Sequence, residues 1–180
     1  MRELALNILD LSQNSITAGA DFINITVSQN AQTDRLYMEL KDNGCGMTKE
    51  QCENVVDPFY TTRTTRKVGL GVPFFKMAAE MTGGSFSIKS EKGVGTIVSA
   101  EFVLSSVDLI PVGDMEGVVK DLIYMNPSID FVYKRAINNK SFVVDTRELK
   151  EILGGVPLND PEVCLWLGEY LKEQLESIIN

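Results

Sequence analysis

The sequence predicts an α/β (α+β) protein, because segments with the apolar spacing of helices are interspersed with segments that alternate like strands. The chain has 180 residues, of which 44% are apolar and 23% are charged. These values are ordinary for a globular protein that can bury a sizeable core. We expect two modules, residues 1–105 and an acidic α/β extension at 106–180 of unknown role, because the pattern of elements changes between them.

The first module begins with a helix at residues 3–18, where Leu4, Ile8 and Leu11 recur at helical spacing. Two strands follow, and their apolar residues alternate with polar ones. An irregular basic segment at 57–70 has the composition of a lid. The predicted elements of this module after the first helix are strands 22–28 and 35–41, helix 49–55, a helix from Gly71 to Gly83, and strands 85–90 and 96–104.

The second module is predicted to hold a hairpin between helices, because Asn138 and Asn139 separate two alternating segments. Its predicted elements are helix 114–125, strands 129–136 and 141–145, and helices 146–153 and 161–178. The larger aromatic residues of this module are expected in its core: Phe131, Tyr133, Trp166 and Tyr170.

The charge of the chain argues against nucleic-acid binding, since a phosphate-backbone binder needs a basic face and the net charge is −8. The charge is uneven. Residues 1–105 carry 10 basic and 12 acidic residues, whereas residues 106–180 carry 7 basic and 13 acidic residues. The first module is therefore the better suited to an anionic ligand.

The three cysteines form no C-x-x-C pair and the chain has no histidine, which argues against a zinc site. A reducing compartment fits this cysteine content. The N-terminus lacks the apolar core of a signal peptide, and no apolar run approaches the roughly 20 residues of a membrane span. We therefore expect a cytoplasmic protein that makes no membrane contact.

Two polar residues of the first helix could serve a metal–phosphate centre. Asp10 and Asn14 are four residues apart and so share one helix face. The amide oxygen of Asn14 is a hard ligand suited to Mg²⁺, and Asp10 could accept a proton from water or a hydroxyl. Taken alone, the pair fits a solvated polar face better than a metal–phosphate centre.

Three glycine-containing segments could hold a nucleotide. Asp42-x-Gly44-x-Gly46 follows a strand, and its glycines would allow a flat ring to approach the backbone. Gly69-Leu70-Gly71 precedes a helix whose free N–H groups can bind an anion. Gly93-x-Gly95-Thr96 lies between the last two strands. Each alone also fits an ordinary turn, and the cations before the helix also fit a solvated loop: Arg63, Arg66 and Lys67.

The order of these motifs resembles that of the GHKL ATPase superfamily, which includes DNA gyrase, heat-shock chaperones, histidine kinases and mismatch-repair ATPases. The segment from Asp10 to Ala20 is similar to the N box, and Asp42-Asn43-Gly44-Cys45-Gly46-Met47 to the first glycine box. Asp57-Pro58-Phe59-Tyr60-Thr61-Thr62 resembles the F box and lid of histidine kinases. Gly69-Leu70-Gly71 and Gly93-Val94-Gly95-Thr96 resemble the second and third glycine boxes. The resemblance covers about residues 3–104.

This resemblance implies the Bergerat fold, a two-layer sandwich with helices on one face of a mixed sheet. It also implies ATP and Mg²⁺ as cofactors. Asn14 would ligate the metal, Asp42 would bind the adenine amino group, and Thr96 would help to fix the ring. The remaining residues expected at the nucleotide are Gly44, Gly46 and Met47 of the first glycine box, Arg63, Arg66 and Lys67 of the lid, and Gly69, Leu70 and Gly71, whose N–H groups would hold phosphates.

The chain departs from the superfamily pattern at its beginning. Asp10 stands where hydrolysing members carry a glutamate, and a carboxylate displaced by one methylene can cost about 10²-fold in rate. Related domains place a strand before the N box, but only thirteen residues precede Asn14. We therefore expect the sheet to lack that strand. Either the hairpin at 129–145 or another protein chain, as in an oligomer, would cover the exposed edge.

Three functions agree with these observations. The first is a regulatory kinase that passes phosphate to an unidentified partner protein, with Asp10 as the catalytic residue. A chain without histidine cannot hold phosphate on a histidine of its own. The second is a binding module that ATP and ADP switch without catalysis. The third is a slow ATP hydrolase.

Overall fold

The computed structural model describes residues 3–60 and 70–180, and it contains helices and strands where the sequence predicts them. The helices are α1 (Leu4–Thr17), α2 (Lys49–Asn54), α3 (Gly71–Met81), α4 (Met115–Met125), α5 (Thr146–Leu153) and α6 (Pro161–Ile179). The strands are β1 (Phe22–Asn30), β2 (Arg35–Asp42), β3 (Ser85–Glu91), β4 (Gly95–Val103), β5 (Asp130–Ile137) and β6 (Lys140–Asp145). The predicted α/β class is confirmed.

All six strands form one mixed sheet in the order β3-β4-β2-β1-β5-β6. Only the β1–β5 pair is parallel, with Ile23 opposite Phe131 and Ile25 opposite Tyr133. The hairpin of the extension therefore covers the edge of β1, which confirms one of the two alternatives expected from the short N-terminus. The sheet is continuous across the predicted module boundary at residue 105.

One face of the sheet carries the core. The side chains that alternate inward along the strands are buried against α1, α3, α4 and α6, and Ile25, Leu40 and Val98 form one such row across β1, β2 and β4. The sequence predicted helices on one face of the sheet only, and helix α5 departs from this prediction because it lies against the other face. Its Arg147 guanidinium lies 5.0 Å from the centre of the Phe22 ring, and Phe22 points away from the core because its neighbour Ile23 is buried.

The two modules are joined at the start of α1. Glu3 provides no side-chain cap for this helix. Instead the amide groups of Leu4 and Ala5 donate to the carbonyl groups of Pro111 and Val112 at 2.9 and 2.8 Å. These bonds satisfy two of the N–H groups that a helix leaves free at its first turn. The segment that leads into the extension therefore caps the helix that carries Asp10 and Asn14.

The aromatic residues of the extension do not all lie in the core. Phe131 and Tyr133 are buried as predicted. The prediction is wrong for Trp166, which is 41% exposed and stacks on Tyr170 with ring centres 5.3 Å apart. The apolar stripe of α6 runs through Leu167 and Leu171, so Trp166 projects beside the stripe rather than within it.

A buried hydrogen bond links the extension's helix α4 to its strand β5. The hydroxyl of Tyr133 donates to Oε1 of Glu116 at 2.9 Å, and both residues are buried. Burial, with the negative charge of Glu116, raises the pKa of Tyr133 well above its usual range. The tyrosine therefore remains a neutral donor at any ordinary pH.

Within residues 3–60 and 70–180, the model contains no helix with both the length and the apolar character needed to cross a membrane.

Replacing Tyr133 with phenylalanine is expected to lower the free energy of unfolding by about 1–3 kcal/mol, because the buried Glu116 carboxylate loses its donor. Denaturant unfolding followed by circular dichroism measures the change. Tyr37→Phe is the matched control. It removes a hydroxyl that donates to Glu39, a half-exposed residue that water can reach. Equal losses in the two variants would contradict the prediction.

Candidate functional site

Asp42 lies at the end of β2 with both carboxylate oxygens engaged. Its Oδ2 accepts from the Ser15 hydroxyl at 2.6 Å, and its Oδ1 accepts from the Gly44 amide at 2.9 Å. The residue is buried, so these bonds offset the cost of removing its charge from water. They also fix the orientation of the carboxylate. Each oxygen retains a lone pair that could accept from a ligand donor.

Thr96 is the direct cross-strand neighbour of Asp42, and Ser90 is in turn opposite Thr96. The three side chains share the core face because opposite residues of antiparallel strands point the same way. The hydroxyl groups of Ser90 and Thr96 lie 2.8 Å apart. Ser90 Oγ also accepts from the amide of Met47 at 2.8 Å. This row of polar groups crosses three strands at one end of the sheet.

The loop after β2 is held against the turn between β3 and β4 by close backbone contacts. A β-carbon added to Gly46 would overlap the carbonyl group of Glu91, and one added to Gly95 would overlap that of Asp42. The Gly93 amide donates to the carbonyl of Cys45 at 2.7 Å. In this structure Gly46 thus makes room for a neighbouring strand, whereas the sequence suggested room for a ligand ring.

Helix α1 contacts the same loop from the other side. The Cys45 amide donates to the carbonyl of Ala18 at 2.9 Å. A β-carbon on Gly44 would lie 2.9 Å from Cβ of Ala18. The first glycine segment is therefore enclosed between the end of α1 and the β3–β4 turn, and this enclosure places its amide groups beside Asp42.

Asp10 lies against the start of α3. A β-carbon on Gly71 would be 3.0 Å from Cβ of Asp10 and 3.8 Å from its Oδ2. Leu70 precedes the helix and is 47% exposed, and within the described residues no side chain caps this helix start. The amides of Gly71 and Val72 lie in the first turn, where N–H groups have no partner within the helix and favour an anion, and Pro73 has no N–H group.

Four of the predicted nucleotide-contacting residues fall outside the described residues: Arg63, Arg66, Lys67 and Gly69. Asn14 is described and is exposed, one turn after the half-buried Asp10 on the same helix face. No group of three or more potential metal-ligating side chains occurs in residues 3–60 and 70–180. Magnesium held mainly by phosphates and water needs only one or two protein oxygens, so Asn14 beside Asp10 fits such an ion.

Two contributors to the site were missed by the sequence analysis, namely Ser15 and Ser90. A signal for Ser15 was present. It continues the stripe of Leu4, Ile8 and Leu11 at helical spacing, and it is buried. A serine at an apolar position of a helix indicates a polar partner inside the protein. Ser90 carried a weaker signal of the same kind. It continues the inward-facing row of Phe86 and Ile88 in β3, but it lies next to the end of the strand, where a serine also fits an ordinary turn.

The chain matches a known family over its first module. The model of the family described as histidine kinase-, DNA gyrase B-, and HSP90-like ATPase matches residues 1–106. The sensor protein SrrB of Staphylococcus aureus is 38% identical over 101 residues, which are 53% of this chain and 17% of that protein. The chain thus corresponds to less than a fifth of the length of this curated relative.

Solved structures show the same fold. The ATPase domain of Aquifex aeolicus MutL in complex with ADP is similar with a TM-score of 0.53 and 14% identity, over 86% of this chain and 70% of that one. The N-terminal domain of a DNA repair protein is similar with a TM-score of 0.56 and 16% identity, over 80% of this chain and 52% of that one. The fold likeness therefore continues beyond the first module into the extension.

Gly46→Ala is expected to destabilise the protein more than Gly93→Ala. Both glycines have positive φ, +64° and +84°, which costs a side chain about 1–2 kcal/mol. A side chain at position 46 would in addition overlap the backbone of Glu91, which adds about 1–3 kcal/mol. A β-carbon at position 93 would have no neighbouring atom within 4 Å. Thermal unfolding measures both variants. Equal shifts in Tm would show that the loop is not held against the turn.

Proposed function

Because the chain belongs to the family of histidine kinase-, DNA gyrase B- and HSP90-like ATPases, we propose that it is a regulatory protein kinase that uses Mg-ATP. Residues 1–105 would bind the nucleotide, and residues 106–180 would form an extension that responds to it. The chain contains no histidine. The phosphate acceptor is therefore another type of side chain or a residue of a partner protein.

The observation that carries this proposal is the position of two carboxylates relative to α1, one on the helix itself and one hydrogen-bonded to it. Asp42 is bonded to Ser15 of this helix, and Asp10 lies against Gly71 at the start of α3. Ser15 follows Asp10 by five positions along the helix, a rise of about 7.5 Å. A base bound at Asp42 would thus point its phosphates along α1 towards the positive end of α3.

The adenine amino group would donate to Asp42, and Thr96 would contact the same edge of the ring. The main-chain amides of Leu70 and Gly71 would hold phosphate oxygens, together with the expected contacts of Gly69, Arg63, Arg66 and Lys67. Gly44, Gly46 and Met47 would lie beside the base. Asn14 would ligate magnesium, which when bound neutralises phosphate charge.

Asp10 would act on the acceptor. The acceptor oxygen would bond to the γ-phosphorus as the bond to the ADP oxygen breaks, and the proton of the acceptor hydroxyl would pass to Asp10. Transfer of this kind depends mostly on positioning and charge neutralisation. The half-buried carboxylate beside Gly71 supports this role, because it adjoins the amides expected to hold phosphate.

A second candidate is a binding module that the nucleotide switches without catalysis. It is favoured by the hydrogen bonds from Leu4 and Ala5 to Pro111 and Val112. Any movement of α1 on nucleotide binding would be transmitted directly to the segment that enters the extension. A third candidate, slow hydrolysis, uses the same Asp10 with water as the acceptor.

Asp42→Asn is expected to weaken Mg-ATP binding at least about tenfold, because the amide nitrogen that replaces one carboxylate oxygen cannot accept a hydrogen bond, whereas Ser15, Gly44 and adenine would all donate to this side chain. Titration calorimetry with Mg-ATP measures the affinity. Asp108→Asn, which changes an exposed carboxylate far along the chain from the glycine loops, is the control and should bind as the wild type does. Unchanged affinity in Asp42→Asn would remove the basis of the proposal.

Asp10→Asn separates the candidate functions. It should leave Mg-ATP affinity within about twofold and reduce phosphate transfer by about 10²–10⁴-fold, as for loss of a general base. Transfer of label from γ-labelled ATP to proteins of a cell extract is the assay, with Asp108→Asn as control. Absence of labelled protein with the wild-type chain would reject the kinase. If the wild-type chain instead releases free phosphate from ATP, and Asp10→Asn abolishes that release, the result would support the hydrolase.

A further inference from the structure

Ser90 is a polar residue of the candidate site to which the proposed mechanism gives no part. It lies near the end of β3 on the core face, opposite Thr96. The Met47 amide donates to its hydroxyl at 2.8 Å, the Thr96 hydroxyl lies at 2.8 Å, and the carbonyl oxygen of Gly95 lies at 3.1 Å. A serine hydroxyl has one proton and two lone pairs, so the directions of these bonds can be counted.

The Met47 amide fixes the direction of the bonds at one end of this group. An N–H group can only donate, so it occupies one lone pair of Ser90. The proton of Ser90 then has two available acceptors, the Thr96 oxygen at 2.8 Å and the Gly95 oxygen at 3.1 Å. Hydrogen bonds between two oxygen atoms are usually about 2.5–3.0 Å long. The distances therefore favour donation from Ser90 to Thr96.

Donation from Ser90 leaves the proton of Thr96 free for a ligand. In the part of the chain that the structure describes, Oγ1 of Thr96 has no hydrogen-bond partner other than Ser90. Thr96 is directly opposite Asp42 on the neighbouring strand, and the Cβ atoms of such a pair are about 4.5–5.5 Å apart. An ionised carboxylate can only accept. The site thus presents a free donor beside an acceptor.

We propose that Ser90 is a positioning residue for the base, which makes Thr96 a donor to the ring nitrogen beside the amino group that Asp42 accepts from. This inference rests on the proposed binding of Mg-ATP. The bonds form a chain with one direction, from the Met47 amide through Ser90 and Thr96 to the ring. Each donor in such a chain polarises the next one, so the last bond is stronger than one from an isolated hydroxyl.

The ring nitrogen is N1 of adenine. Both N1 and N7 lie beside the amino group, but N7 belongs to the ring that carries the sugar. In the proposed pose the sugar and phosphates leave the base towards α3. The edge opposite the sugar, which carries N1, therefore faces the buried Asp42 and its neighbour Thr96.

A purely structural part for Ser90 would have a different consequence. Ser90 also holds the glycine loop, because it accepts from the Met47 amide. If this were its only part, loss of the hydroxyl would weaken the binding of every nucleotide equally. A residue that acts through Thr96 affects only nucleotides that accept a proton from Thr96, so a nucleotide without N1 distinguishes the two parts.

The first test compares Mg-ATP with Mg-1-deaza-ATP, in which a C–H group replaces N1. Titration calorimetry of Ser90→Ala should show Mg-ATP binding about three- to tenfold weaker than in the wild-type chain, as for the loss of one hydrogen bond. Its affinity for 1-deaza-ATP should stay within about twofold of the wild-type value for that analogue. The analogue 7-deaza-ATP retains N1 and should behave as ATP does.

Ser87→Ala is the matched control for this comparison. It makes the same change on the same strand, but position 87 is exposed on the opposite face of the sheet. The affinities of Ser87→Ala for Mg-ATP and for 1-deaza-ATP should equal those of the wild-type chain. Circular dichroism and thermal unfolding of each variant show that a change in affinity does not come from loss of the fold.

The second test removes the hydroxyl of Thr96. Thr96→Val keeps nearly the same shape and should weaken Mg-ATP binding about three- to tenfold. Adding Ser90→Ala to this variant should change the affinity by less than about twofold, because residues that act through one contact are not additive.

Equal weakening of Mg-ATP and 1-deaza-ATP by Ser90→Ala overturns the inference and assigns Ser90 to the glycine loop alone. A full additional loss in the double variant overturns it as well. An effect that disappears with 7-deaza-ATP but persists with 1-deaza-ATP overturns the assignment to N1. If the wild-type chain binds Mg-ATP and Ser90→Ala binds it as tightly, only this inference fails. If the wild-type chain binds no Mg-ATP, the proposed function fails together with it.

Discussion

The buried carboxylate of Asp42 is the point on which the candidate site depends. Its two oxygens tie β2 to α1 through Ser15 and to the glycine loop through Gly44. Its backbone carbonyl lies so close to Gly95 that a side chain at that position would overlap it. One residue thus sets the relative positions of a helix, a loop and a strand pair. A base that bonds to Asp42 would meet groups that are already ordered, which reduces the entropy lost on binding.

The extension is part of the same sheet as the nucleotide module, and this changes how the two modules can communicate. β5 supplies the parallel neighbour of β1, and the segment before α4 caps α1. If α1 shifts, these contacts would carry the shift into the extension without a flexible linker. The strands of the acidic extension lie at the opposite edge of the sheet from β3 and β4, which are next to α3.

Local patterns were sufficient to predict most elements, and long-range contacts account for the rest. The apolar period of α1 and the turn at Asn138 are encoded by neighbouring residues, so their positions could be predicted. Four motifs in order indicated Asp10, Asn14 and Asp42. The bond between Ser15 and Asp42 joins residues 27 positions apart, and the exposure of Trp166 depends on how α6 lies on α4. Neither has a local signature. The face on which α5 packs was missed for the same reason.

The parallel pairing of β1 with β5 has a consequence for the way the protein folds during synthesis. β1 is complete at Asn30, whereas its neighbour begins at Asp130, about a hundred residues later on the ribosome. The intervening strands can assemble early, but one side of β1 stays open until the hairpin emerges, and non-local pairing of this kind is slow. Nascent chains that stall near residue 105 would expose the unpaired edge of β1, which can pair with other chains. Chaperones should therefore bind most to nascent chains that end between residue 105 and the hairpin.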